Sequence, residues 1–167
     1  MKTRQKDRGN PPPVDPWNEI RPGLWMGGHI RVGAAGEEPV VVGREFDLVL
    51  SLYHRDGHGP APGVEHRFAE MPDGPLTDAQ IGEVERFAGL AAEAVRAGRR
   101  TLVRCHAGQN RSGLVVAQAL VELGLELPAA IALVRQRRGP GALSNELFVQ
   151  YLESGLPIAR LLTGLGS

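Results

Sequence analysis

Apolar positions along the chain follow two rhythms. From residue 77 the rhythm is helical: Ile81, Val84, Phe87, Ala88, Ala91 and Val95 recur at intervals of three and four. Thr77 followed by Gln80 fits a capping box at the start of that helix, and Gly98 stops it. Shorter runs read as strands. They are Leu24–Met26 closed by Gly27-Gly28, Val40–Val42, Phe46–Tyr53, the alternating segment 64–68, and Thr101–Val103. Further helices are expected from near Arg111 to near Gly124, from Pro128 to about Gln136, and from near Ser144 through Leu152. Strands alternating with helices define an α/β class. The short early strands and the 64–68 strand predict one domain with a central mixed, mostly parallel sheet flanked by helices. Residues 1–21, with charge, Gly and Pro11-Pro12-Pro13, are expected to form a flexible Pro-rich arm, its last part pinned by Val14, Trp17 and Ile20. The domain is expected over 22–167.

Composition narrows the partners. Nineteen Lys and Arg balance nineteen Asp and Glu. A net charge of zero argues against a general nucleic-acid or membrane-surface binder, which carries a basic excess. No run of eighteen apolar residues is present, so no membrane span is expected. The basic start leads into prolines rather than an apolar run, which is not the pattern of a secretory signal. Cys105 is the only cysteine, so neither an intrachain disulfide nor a thiolate metal cluster is available, and a reducing cytoplasm is the default location. Only Lys2 and Lys6 of the nineteen basic residues are lysine, a bias of high-GC bacterial genomes.

One segment carries chemistry: Val103-Arg104-Cys105-His106-Ala107-Gly108-Gln109-Asn110-Arg111-Ser112-Gly113. A buried strand delivers a cysteine to a tight loop, and the loop runs into a helix N-terminus. Backbone N–H groups in such a loop converge, and the helix dipole adds partial positive charge there. That setting favours a thiolate and binds a tetrahedral dianion. The anion site is expected to comprise His106, Ala107, Gly108, Gln109, Asn110 and Arg111. Gly108 gives the loop its backbone freedom. Arg111 can fold back and offer its fork to two phosphate oxygens. The Ser112 hydroxyl can donate to the Cys105 sulfur. A plain buried thiol would explain Cys105 but not Gly108, Arg111 and Ser112 at these offsets.

Cys105 through Ser112 fits the pattern C-x5-R-S, and the chain resembles the cysteine-dependent protein phosphatases, specifically the dual-specificity and tyrosine branch, from about Leu24 to Leu152. The resemblance implies the cysteine-phosphatase fold, with the phosphate loop between a strand and a helix. It implies hydrolysis of phosphomonoesters through a phosphocysteine, with no cofactor and no metal, on phosphorylated proteins. Phosphotyrosine leads, with phosphoserine and phosphothreonine if the pocket is shallow. It implies that Asp73, in Met71-Pro72-Asp73 and 32 residues before Cys105, is the general acid. It also implies that Asn145, with Phe148 and Leu152, braces the phosphate loop. Two departures stand out. The family usually has His before the cysteine, where this chain has Arg104, leaving His106 as a partial substitute. Asn110 before Arg111 is similar to the RNA 5'-triphosphatase branch.

Blander roles compete for the supporting residues. Asp73 could merely close a Pro-Gly turn. Asp78, the rival acid, could merely favour the dipole of its helix. His54 and His58 could line the site beyond a strand end, but as metal ligands they are a weaker reading than a solvated loop. Arg135, Arg137 and Arg138 could attract an acidic substrate or simply be solvated. Asn145 could be only a helix N-cap, with Ser144 as its competitor. The alternative functions are an RNA 5'-phosphatase, a phosphoinositide phosphatase, a rhodanese-like sulfurtransferase, or an inactive phosphate-binding module.

Overall fold

The computed structural model describes residues 10–166. Seven strands and five helices occur among them, in the order β1 (Trp17–Arg21), β2 (Leu24–Gly27), β3 (Ile30–Gly33), β4 (Gly36–Pro39), β5 (Leu48–Ser51), β6 (Glu65–Phe68), α1 (Asp78–Arg96), β7 (Thr101–Arg104), α2 (Arg111–Glu122), α3 (Leu127–Arg138), α4 (Glu146–Ser154) and α5 (Leu156–Leu165). Five strands form one sheet in the order β1-β2-β7-β5-β6, while β3 and β4 pair as a separate hairpin. Only the β1–β2 pairing in the large sheet is antiparallel; β2–β7, β7–β5 and β5–β6 are parallel. The sheet is therefore mixed and mostly parallel, as the alternation of elements predicted.

Central strand β7 is buried at every position. Its side chains alternate between two faces. Val103 and Cys105 enter the main core with Val84, Phe87, Leu114 and Leu120 of α1 and α2. Leu102 enters a smaller cluster on the other face with Val42, Phe46 and Val49, edged by Trp17, Trp25 and Val64. Capping of α1 is as the sequence predicts: Gln80 N–H donates to Thr77 Oγ1 at 3.1 Å and Thr77 N–H to Gln80 Oε1 at 2.9 Å.

Three elements differ from expectation. Trp17–Arg21 forms an edge strand, so the sheet begins inside the segment set apart as an arm. Val40–Val42 is not a strand: Val40 N–H donates to His29 O and Val42 N–H to His58 O, each reaching a different segment. The β hydrogen bonds there fall instead to Ile30–Gly33 and Gly36–Pro39, whose charged residues mask the strand signal. Helix α5 lies beyond the last helix read from the sequence, where Gly155 and Pro157 interrupt the pattern. Pro157 sits in the first turn, where its missing N–H costs nothing. Leu156 and Ala159 of α5 pack into the core, and Arg160 pairs with Glu85 of α1 at 3.5 Å.

Register places the site. Gly27 of β2 and Ser51 of β5 both lie opposite Arg104 of β7. Three carboxyl ends are thus level, and the segments leaving them gather at one end of the sheet. This is where open α/β sheets bind ligands.

Candidate active site

Cys105 leaves β7 at the main-core face, and the loop from His106 to Asn110 runs into α2. Every carbonyl along this loop has a donor. The ring Nδ1 of His29 lies 2.8 Å from Cys105 O, and because a carbonyl only accepts, Nδ1 carries the proton. His29 N–H and Ile30 N–H donate to His106 O at 2.7 and 3.3 Å. The Arg138 guanidinium donates to Ala107 O at 3.3 Å and to Gly108 O at 2.9 Å. Leu143 N–H donates to Gln109 O at 3.1 Å. In a trans peptide the carbonyl of one residue and the N–H of the next point in opposite directions. With the carbonyls of residues 105–109 drawn outward, the N–H groups of residues 106–110 face the interior of the loop. None of them donates to a protein acceptor among the described residues. The first turn of α2 holds no acidic residue to neutralise its positive end. The result is a nest of donors that an oxyanion satisfies.

Two glycines are required by close approach. Gly108 has φ +72°, and a Cβ there would lie 2.5 Å from both the Gly27 backbone and Arg138. A Cβ on Gly28 would lie 2.7 Å from His106 O. Both leave the loop room to lie against the β2 end.

The remaining residues converge on this nest. Ser112 Oγ lies 3.3 Å from Cys105 Sγ, both buried. Arg111 folds back, with its Nη1 donating to Met71 O at 3.0 Å and its guanidinium 5.6 Å from the Tyr53 ring centroid. Its Nε is buried with no partner among the described residues. Nε and Nη2 are the parallel pair with which a guanidinium grips two oxygens of one anion, so a phosphate would satisfy the buried donor. Asp73 stands beside the loop, its Oδ2 accepting from Asn110 Nδ2 at 3.0 Å and its Oδ1 from Asn145 Nδ2 at 2.7 Å. Asp78 lies at the start of α1 and accepts the Ala79 N–H at 2.9 Å, with Gly164 of α5 beside it, and among the described residues it has no hydrogen bond to the loop. Asn145 caps α4 by accepting Leu147 N–H at 3.1 Å, while reaching Asp73.

Arg104 does not take the place of a histidine beside the sulfur. Strand alternation turns it to the opposite face, where it is fully buried. Its Nε donates to Ser51 Oγ at 2.9 Å and its Nη1 to His58 O at 2.9 Å, fastening the 54–59 loop to the sheet. Burial pulls its pKa down to about 10, so it stays a cation at neutral pH. Ser51 in turn lies 2.8 Å from His66 Nε2. His66 is pulled to about 4, by burial first and then Arg104, so the ring beside Ser51 is neutral at pH 7. His106 is not a charged substitute either. Burial, then Arg111, lowers its pKa, and its Nδ1 has no partner among the described residues. The histidine that touches the Cys105 peptide is His29, lowered to about 3 chiefly by burial.

Several expected roles shift. Arg138 is not a solvated helix-end charge: besides the loop carbonyls it holds Asp15 O and Asn18 Oδ1, at 2.9 and 2.8 Å. Arg135 braces Ala142 O and Leu143 O at 3.2 and 2.9 Å. His58 is buried, 3.1 Å from Val40 O through Nδ1, and His54 packs its ring against those of His66 and Phe68. Among the described residues no group of three or more His, Cys, Asp or Glu is placed to hold a metal ion. Sequence reasoning missed His29 because a lone histidine after Gly27-Gly28 carries no motif. Arg138 was visible only as one of three helix-end arginines.

A cysteine at a strand end, a carbonyl-tethered loop of free amides and an arginine folded over it define a cysteine-dependent phosphatase. The chain belongs to the dual-specificity phosphatase family: it is 30% identical over 148 residues to human dual specificity phosphatase 28, covering 87% of this chain and 81% of the relative. A Drosophila melanogaster PRL-1 phosphatase is 44% identical over 59 residues, 35% of this chain and 32% of that one. The crystal structure of human DUSP28 superposes with a TM-score of 0.69 at 26% identity, covering 87% of this chain and 95% of that one. A mouse putative dual specificity phosphatase, crystallised with zinc tungstate, gives 0.64 at 27% identity over 95% and 94%. No protein-family model matches the chain. Among the described residues no helix is long and apolar enough to cross a membrane.

Proposed function

We propose that the protein hydrolyses phosphomonoesters of proteins through a phosphocysteine on Cys105, with phosphotyrosine the leading substrate and phosphoserine and phosphothreonine as further ones. The observation that carries this reading is the ring of unpartnered N–H groups and the free Arg111 Nε around the cysteine. The Cys105 thiolate attacks phosphorus in line with the ester oxygen; the S–P bond forms as the P–O bond breaks. Asp73 gives its proton to the departing oxygen. The loop amides and Arg111 hold the equatorial oxygens and stabilise the charge that develops on them. Water then attacks the phosphocysteine, Asp73 takes a water proton, and the thiolate leaves with Ser112 donating to it. Inorganic phosphate departs and the enzyme is regenerated. The human relative's dual specificity supports a protein substrate. A reducing bacterial cytoplasm suits a lone catalytic thiol.

The test is turnover of p-nitrophenyl phosphate in EDTA, followed by phosphopeptides, phosphoinositides and 5'-triphosphate RNA side by side. Phosphotyrosine peptides are expected to be hydrolysed fastest. Preference for RNA or a phosphoinositide would overturn the substrate class, and binding without turnover would make the protein a phosphate reader. Asp73→Asn should slow phosphotyrosine hydrolysis about 10²–10⁴-fold. The same change should slow an aryl phosphate with an acidic leaving group far less, and Asp78→Asn should do neither. Equal loss on both substrates would remove Asp73 from the proton transfer.

A further inference from the structure

Asn110 is the last residue before Arg111, and its side chain does not cap α2. Its Oδ1 accepts the Asn145 N–H at 2.9 Å and the Ser144 hydroxyl at 3.4 Å. A backbone N–H can only donate, so Oδ1 is fixed on that side and Nδ2 must face Asp73. Asn145 is oriented by the same logic, since its Oδ1 accepts from Leu147 N–H. Both amides therefore present N–H to the carboxylate, one to each oxygen. Arg111 holds Met71 O of the same segment. Two consecutive residues of the phosphate loop thus grip the loop that carries Asp73.

We infer that Asn110 is a positioning residue that couples the acid loop to the phosphate loop, holding Asp73 in place before the substrate arrives. This rests on the reading of Asp73 as general acid. The residue type matters. A carboxylate at 110 would face Asp73 with like charge and no donor, and a serine is too short to bridge Asn145 and Asp73 together. Ordering the acid in advance removes an entropic cost from the chemical step, and that benefit appears only where the leaving group needs a proton.

The experiment measures single-turnover rates of Asn110→Ala and Asn110→Ser on phosphotyrosine and on an aryl phosphate with an acidic leaving group. It repeats them in the Asp73→Asn background, with vanadate binding as a check on the phosphate loop. The ratio of phosphotyrosine turnover to turnover of the activated substrate is expected to fall about tenfold or more, part of what a positioned acid supplies, beyond any loss the two substrates share through the phosphate loop. The selective loss should vanish in the Asp73→Asn background, and a loss that merely tracks a fall in vanadate affinity would place Asn110 in the phosphate loop alone and overturn the inference. Equal loss on both substrates, or an undiminished loss when Asp73 is already Asn, would make Asn110 a structural residue and overturn the inference. If Asn110→Ala does not fold, Asn110→Ser decides, because it keeps a small polar side chain at the position while removing both amide contacts. Absence of leaving-group dependence in Asp73→Asn alone would instead strike the acid assignment, and the inference with it.

Discussion

At the residue scale the proposed nucleophile and the anion nest are separable. Cys105→Ser keeps every loop amide and Arg111, but a hydroxyl is a far weaker nucleophile at neutral pH. Turnover should disappear while vanadate still binds, as calorimetry would show; more than a few per cent residual activity would remove Cys105 from the reaction. Arg111→Lys should be nearly as damaging as Arg111→Ala. An ammonium cannot offer two parallel N–H bonds, and the loss in barrier should be on the order of 2–4 kcal/mol by kcat/KM. Cys105, Arg111 and Ser112 were legible because their offsets are set by one loop. His29 was not: its bond to Cys105 O spans 76 residues of sequence, and only the level ends of β2 and β7 bring the two together.

Among the elements, α3 closes the loop from outside. Arg138→Met should leave Ala107 O and Gly108 O without their donor, costing about 1–3 kcal/mol of stability, which urea titration would measure. Phosphate affinity should weaken with it, since the Gly108 and Gln109 N–H groups lose their orientation. Leu156 anchors α5 in the core, and Leu156→Ala should cost about 2–5 kcal/mol, read by the same titration. The helices α1 to α4 were legible from their period, caps and stops. The hairpin β3–β4 and helix α5 were not, because Glu37, Glu38, Gly155 and Pro157 outweigh local propensity until a partner supplies the packing.

For the whole molecule, acid should loosen the fold before it protonates the carboxylates. His29 is fully buried and its pKa is lowered to about 3 from 6.5; that of His66 is lowered to about 4. Between those values and 6.5 the unfolded chain binds protons that the folded chain refuses. The stability is therefore complete above about pH 6.5 and is lost as pH falls. From pH 6.5 to 5 His29 alone should cost about 2 kcal/mol. Asp47 and Glu65, lowered by Arg100 and Arg99, act only below the ordinary carboxylate range. Urea midpoints at pH 7 and 5 should differ accordingly, and His29→Asn should reduce the difference while leaving the part due to His66; an unchanged difference in that variant would show that other groups govern it.

The phosphate loop hangs from segments that flank it in the sequence on both sides. His29 and Asp15 lie on one side of its supports and Arg138 and Leu143 on the other. A nascent chain that has just exposed Cys105 and Arg111 outside the ribosome holds the proposed reactive pair without the frame that turns the amides inward. Synthesis must pass Leu143 before the nest can form, so the loop stays silent toward its neighbours until both sets of supports have emerged.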